Sequence, residues 1–206
     1  MKTKEVIEKN IKWIAVFICI ILVIGIAKDV LSKEIYELDV IGYNFISEHF
    51  ISDDVTPIVK IITQLGGVIG LISIATILAI VIKDKKIPIL IWTNLGISAL
   101  LNQILKNIIQ RPRPTQFRII DESGYSFPSG HSMVSTAFYG FLIYLAYKKI
   151  KNKYLKMALI TILSILIIFI GISRIYLGVH YTSDVLAGFL ISISYLIIFT
   201  YFTQNI

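Results

Sequence analysis

The sequence predicts an all-α polytopic membrane protein, with six transmembrane helices and one amphipathic helix lying on the membrane surface between the first and second spans. Three observations carry that prediction. The 206 residues are 56% hydrophobic, and the mean hydropathy is +0.79. That is far too apolar for an ordinary soluble domain. Apolar runs of bilayer length recur between short polar stretches. The basic residues are clustered by loop, which makes the net charge of +7 a topology signal and argues against a nucleic-acid partner.

A Lys-rich leader over residues 1–12 precedes the first span, Trp13 to Ala27, whose ends Lys12 and Lys28 can snorkel. This run has no small-residue cleavage site before Lys28-Asp29 and is expected to be a retained helix. Residues 28–54 are polar and acidic. Within them Ile35, Leu38, Ile41, Phe45, Ile46, His49 and Phe50 recur at helical spacing, the pattern of a surface helix. The second span is expected from Pro57 to Ile82 as one helix, with Gly66 and Gly70 as a small-residue pair for close packing. The third runs from Ile87 to Leu105, and the fourth from Ser132 to Tyr147. The fifth runs from Leu155 to Ile172, about 27 Å at 1.5 Å per residue, which suffices for a bilayer core. The sixth is Asp184 to Phe202. The spans use up the length, so residues 1–206 read as one membrane-embedded domain. The lone Cys19 lies inside the first run and has no intramolecular disulfide partner.

Of the 20 Lys and Arg residues, twelve fall in the leader, the 83–86 turn and the 148–156 turn, and seven fall in the loops of the opposite face. By the positive-inside rule both termini are cytoplasmic in a multi-pass cell-membrane protein. The loop 106–131 and the turn 173–184 then share the extracytoplasmic face.

The turn is where chemistry gathers. Between two apolar runs it holds Ser173, Arg174, His180 and Asp184. Ionisable groups in a membrane chain mark function by default. If the sixth run starts near Tyr181, His180 and Asp184 are i and i+4 on its first turn and can meet. Asp184 then takes the Nδ1–H and leaves Nε2 as a nucleophile. By itself the stretch equally fits a helix–helix turn whose polar residues cap ends and snorkel. Two further polar clusters share its face: Lys106 with Arg113-Pro114, and Pro128-Ser129-Gly130-His131 at the start of the fourth span.

In residue type, internal spacing and order, these three clusters resemble the three-part signature of the type 2 phosphatidic acid phosphatase superfamily. The signature covers residues 106–184, and the six-span layout resembles its membrane lipid-phosphatase branch. The resemblance implies a metal-independent hydrolase without cofactor. It would remove a phosphomonoester or pyrophosphate head group from a lipid through a phosphohistidine. Undecaprenyl pyrophosphate, phosphatidylglycerol phosphate and phosphatidic acid present the same head chemistry. The partners implied are the lipid phosphate and the bilayer, with no protein partner indicated. His180 is the implied nucleophile, His131 the general acid and Asp184 the group that orients His180. Lys106, Arg113, Ser129, Gly130 and Arg174 bind the phosphate, whose roughly two negative charges the cations balance. Ser129 also caps the fourth span, and Gly130 admits the phosphate close to the backbone.

Other polar residues are given structural readings. Arg111 is expected as a surface or head-group contact, and Arg118, Asp121 and Glu122 as loop solvation. His49 reads as interfacial, and Tyr125, Tyr176 and Tyr181 as anchors or packing. Gly171 and Gly178 are expected to give backbone freedom. No residues have metal-ligand spacing. The alternative function is a transporter of a small anion using the same basic cluster. Against it, the charges gather at one face, and no broken helix is expected at mid-depth.

Overall fold

The computed structural model describes residues 2–32 and 37–203, with residues 2–9 described by backbone alone. Among them there are eight helices and no strand. They are α1 (Lys2–Leu31), α2 (Glu37–Phe50), α3 (Val55–Leu65), α4 (Val68–Val81), α5 (Lys86–Ile109), α6 (Gly130–Lys149), α7 (Lys153–Tyr176) and α8 (Thr182–Phe202). Four are long and apolar enough to cross a membrane: Asn10–Leu31 within α1, then α5, α7 and α8. The bent pair α3 and α4 makes a fifth if read as one span.

Helix α6 is the centre of the bundle, packed on α5, α7 and α8. Its polar residues Ser132, Ser135 and Thr136 are buried beside Met133, Phe138, Tyr139 and Phe141. A helix enclosed by other helices need not present an apolar face to lipid. Ser192 Oγ on α8 donates to the Met133 carbonyl at 2.5 Å. At Gly188 a Cβ would come within 3.1 Å of Met133 N and the Ser129 carbonyl, so the glycine allows the close approach of α8 to α6. Gly171 similarly lies where a Cβ would strike Phe189, so its role is close packing of α7 on α8, in place of the expected backbone freedom. Gly178, by contrast, holds φ +68° in the turn after α7, as expected.

The expected second span is not one helix. It breaks at Gly66-Gly67, and α3 and α4 diverge by 54°. The last carbonyls of α3 find partners at the break: Gly66 N–H donates to Thr63, Gly67 N–H to Gln64, and Tyr139 Oη to Leu65 at 2.8 Å. A Cβ at Gly70 would strike the Gln64 carbonyl, so this glycine admits the bend. Gly66 packs against Ile170 of α7, the close packing anticipated for it. The expectation of one continuous helix from Pro57 to Ile82 is corrected.

Helix α2 forms over the expected segment, although Ile35 lies outside the described residues. Its apolar residues Leu38, Ile41, Phe45 and Phe50 are exposed. The inward face is Asp39, Gly42, Tyr43 and Ile46, spaced i, i+3, i+4 and i+7. A Cβ at Gly42 would collide with the Thr182 side chain, which puts α2 directly against the start of α8.

Candidate functional site

Local sequence explains how the site is assembled. Helix α5 ends at Gln110, whose positive φ of 52° turns the chain out, and Pro112 and Pro114 keep the following loop extended. Ser129 caps α6, accepting the Ser132 N–H and the Ser132 hydroxyl, while its own N–H donates to the Asp184 carbonyl at 3.1 Å. Tyr181 is the N-cap of α8. His180 therefore sits just before that helix and not on its first turn.

The His180 Nδ1 faces Asp184 Oδ2 at 3.4 Å, and the same oxygen accepts the Tyr181 N–H at 3.0 Å. Nε2 meets Arg113 Nη1 at 2.9 Å. A guanidinium only donates, so Nε2 is the acceptor and the proton is on Nδ1, the tautomer expected from the spacing. The ring is 3% exposed. Burial lowers its pKa from 6.5 to about 4, although Asp184 pulls the other way. The imidazole is thus neutral at physiological pH.

Arg113 is buried. Its Nε donates to the Ser123 and Gly124 carbonyls, and its Nη1 also donates to Val179. Burial lowers its pKa from the usual arginine value. Arg174 is 1% exposed; Nη1 donates to Thr63 Oγ1 at 2.8 Å, Nη2 pairs with Glu122, and Nε is buried without a partner. Lys106 Nζ donates to the Tyr125 carbonyl.

A cavity of about 800 Å³ connects these groups. Lys106, Arg113, Gly130, His131 and His180 line it together with Asn102 and Glu122. Its other wall is apolar, with Leu71 and Ile72 of α4 and Trp92 and Leu95 of α5. The His131 ring lies against the α3–α4 break: a Cβ built at Gly66 or Gly67 would be 3.5 Å from it. At Gly130 a Cβ would come within 3.1 Å of Asn102 Oδ1, so this glycine makes room for the α5 side chains. Arg174 reaches the cavity through Glu122. Ser129 and Asp184 stand behind the wall, both fully buried.

Two expectations are corrected. Arg111 is no surface contact. Its Nη1 donates to Asp184 Oδ1 at 2.6 Å and its Nη2 to Asp39 Oδ2 at 2.7 Å, and its guanidinium stacks 3.9 Å from the Tyr181 ring centroid. Burial opposes its charge, but Asp184 and Asp39 outweigh that and raise its pKa. Glu122 is not loop solvation, since its carboxylate holds Arg174. Tyr181 packs as expected, its ring face against the Arg111 guanidinium. Asp39 and Asn102 were missed altogether. The signal for Asp39 was a carboxylate in line with Ile46, one heptad on, along the inward face of α2. Tyr176 does pack as expected, its hydroxyl 2.8 Å from Thr56 Oγ1. His49 is exposed on α2.

A family model described as the PAP2 superfamily matches residues 88–206. The chain belongs to the PAP2 superfamily. All the site residues anticipated from the sequence fall inside the matched region, while Asp39 falls outside it. Within the superfamily, the chain is 44% identical over 96 residues to phosphatidylglycerophosphatase B of Bacillus subtilis (strain 168), a stretch covering 46% of this chain and 47% of that protein. The alignment thus spans about half the length of that relative. A solved structure of a transmembrane PAP2-type phosphatidylglycerolphosphate phosphatase from Bacillus subtilis superposes with TM-score 0.78 at 26% identity, covering 91% of this chain and 96% of that one. Aquifex aeolicus LpxE superposes with TM-score 0.65 at 21% identity over 84% of this chain and 99% of its own, a likeness of fold.

Proposed function

We propose that this PAP2 chain is a membrane lipid-phosphate phosphatase that works through a phosphohistidine at His180. The observation that carries the reading is the shared cavity. Its polar end holds both histidines and two cations, and its apolar end is walled by residues of α4 and α5. A lipid can offer its head group to the first while its tail stays at the second.

In the proposed reaction the Nε2 lone pair of His180 bonds to phosphorus as the bond to the leaving oxygen breaks. His131 gives that oxygen a proton. Water then attacks phosphorus, His131 takes its proton, and the N–P electrons return to Nε2. Lys106, Arg113 and Arg174 oppose the charge spread over the equatorial oxygens. Arg174 Nε, buried and without a partner behind Glu122, becomes a donor to a phosphate oxygen once Glu122 gives way. Arg113 and Arg174 must exchange their present partners, the Nε2 of His180 and the carboxylate of Glu122, for the substrate.

Six spans follow if α3 and α4 count as one and α6 as another, with α2 at the interface, both termini inside and the site outside. Cysteine placed at exposed Ser123 should be labelled by a membrane-impermeant thiol reagent in intact cells, and cysteine placed at Asn152 should not. The reverse pattern refutes the topology.

The name of the Bacillus subtilis relative supports phosphatidylglycerol phosphate as a test substrate, beside undecaprenyl pyrophosphate and phosphatidic acid. Purified protein should release phosphate from at least one of them. The broken α3–α4 helix beside the cationic cluster is the one observation favouring anion transport. Labelled-anion flux into proteoliposomes without phosphate release would decide for that reading.

A further inference from the structure

We infer that Asp39, on α2, is a positioning residue for this reaction: through Arg111 it sets the charge that Asp184 presents to His180. The inference rests on the phosphohistidine reading above. Both Asp39 oxygens are engaged. Oδ1 accepts the Ser183 N–H at 2.7 Å, and Oδ2 accepts the Ser183 hydroxyl at 2.9 Å and Arg111 Nη2 at 2.7 Å. Arg111 Nη1 donates to Asp184 Oδ1 at 2.6 Å and to Ser183 Oγ at 2.8 Å. One guanidinium is therefore shared between two carboxylates, with Asp39 itself 6% exposed.

Counting charge shows why the sharing matters. When Nε2 bonds to phosphorus, the ring keeps its Nδ1 proton and becomes cationic until the N–P bond breaks. Asp184 supports that charge. Arg111 fixes Asp184 rigidly, but by itself it would also cancel it, since the pair sums to zero. Asp39 restores one net negative charge to the buried group. Inside a low-dielectric wall such a difference is felt strongly. The clamp can thus be stiff and still electrostatically useful. A purely mechanical alternative exists, in which Asp39 merely latches α2 onto the Ser183 backbone at the start of α8.

Kinetics of the full-length protein in detergent micelles separate the two, with an aryl phosphate and a lipid phosphate as substrates. Asp39→Asn is isosteric and still accepts the Ser183 N–H. It should lower kcat about 10- to 100-fold, as loss of an outer partner of a reacting group does. KM should stay within about twofold, because the support is felt only in the transition state. Adding Arg111→Gln should bring kcat back to within about tenfold of wild type, since Asp184 alone again carries the net charge. Wild-type kcat in Asp39→Asn overturns the inference, and so does a double variant slower than the single one. If Asp39→Asn does not accumulate, the charge-balanced double variant carries the test. A kcat within tenfold of wild type supports the inference, and a loss as deep as that of Asp184→Asn overturns it. A wild-type protein inactive on every phosphoester refutes the phosphatase reading itself, a result distinguishable from failure of the inference alone.

Discussion

On the cavity side of the His180 ring, Arg113 meets Nε2 at 2.9 Å and spreads its other donors over backbone carbonyls at 3.0–3.2 Å, while Arg174 is held by the half-buried Glu122 and by Thr63. On the opposite side, Asp184, Arg111 and Asp39 hold one another at 2.6–2.7 Å with almost no exposure. Both arrangements draw on the same three-residue stretch, Arg111-Pro112-Arg113. Within that short loop, Arg111 turns to the Asp184 and Asp39 carboxylates while Arg113 turns to His180 Nε2, so neighbouring arginines serve two different environments. The front bonds are ones a phosphate can replace. The back bonds are ionic pairs among buried groups, where removal of one partner leaves another stranded. The difference separates a surface built for exchange from a frame built to stay fixed.

The comparison can be broken most directly at the ring itself. His180→Ala should abolish turnover on every phosphoester, and no acid-labile phosphoenzyme should be trapped on rapid quenching. Retained covalent labelling would place the nucleophile elsewhere.

The next effect separates front from back by leaving group. His131→Ala should lose about 10²–10⁴-fold on an alkyl lipid phosphate and much less on p-nitrophenyl phosphate, whose leaving group scarcely needs the proton. Asp184→Asn should be impaired on both substrates, to an extent between His180→Ala and His131→Ala on the lipid. If His131→Ala is equally dead on both substrates while the aryl leaving group rescues His180→Ala, the nucleophile and acid are reversed.

The two arginines should differ in kind. Arg111→Ala leaves two buried carboxylates unpaired and should cost about 3–5 kcal/mol of stability, read as a lowered midpoint in thermal or denaturant unfolding. Arg113→Ala should cost about 10²–10³-fold in kcat/KM with a much smaller midpoint change. Equal destabilisation by both would erase the distinction drawn here.

Acid titration is a gentler probe of the frame. With the His180 pKa near 4, the acid limb of kcat/KM should lie well below 6.5 once the substrate's own ionisation near 6 is divided out. The unfolded chain binds the His180 proton below about 6.5 and the folded chain only near 4, so this histidine's contribution to stability is lost as pH falls through that window. An acid limb at 6.5 would contradict the buried neutral ring. Smallest of all, Glu122→Gln should free Arg174 and lower the Ki of inorganic phosphate by about two- to fivefold, the scale of a partly exposed ion pair. A weaker phosphate affinity would mean that Glu122 organises the site in place of competing for it.

Much of this was readable from the chain. The three clusters identified Lys106, Arg113, His131 and His180, which the fold does bring to one cavity, and the apolar runs located most of the helices. Spacing could carry that information because each cluster is local and its chemistry is borne by a few residue types. Arg111 and Glu122 were misread because their partners are distant in sequence, and a charged residue in a polar loop is ordinarily solvated. Asp39 is hidden by its helix: the apolar stripe of α2 lies on its outward face, whereas the inward one carries the carboxylate. The α3–α4 break is not legible because Gly66 and Gly70 suit close helix packing equally well, and the partners of the freed carbonyls, the Gly66 and Gly67 N–H groups and the Tyr139 hydroxyl, show only in the fold.

The bond between Asp39 and Ser183 joins residues 144 positions apart. A ribosome delivers α2 long before α8 exists, so the carboxylate must wait through most of synthesis without its partners. Closing so long a loop is entropically slow, and contacts of this range form late. The order of biogenesis follows: α5 and α7 can pack on α6 first, while the α6–α8 packing and the frame behind His180 both wait for α8. Newly made chains should therefore become catalytically competent only once α8 has packed.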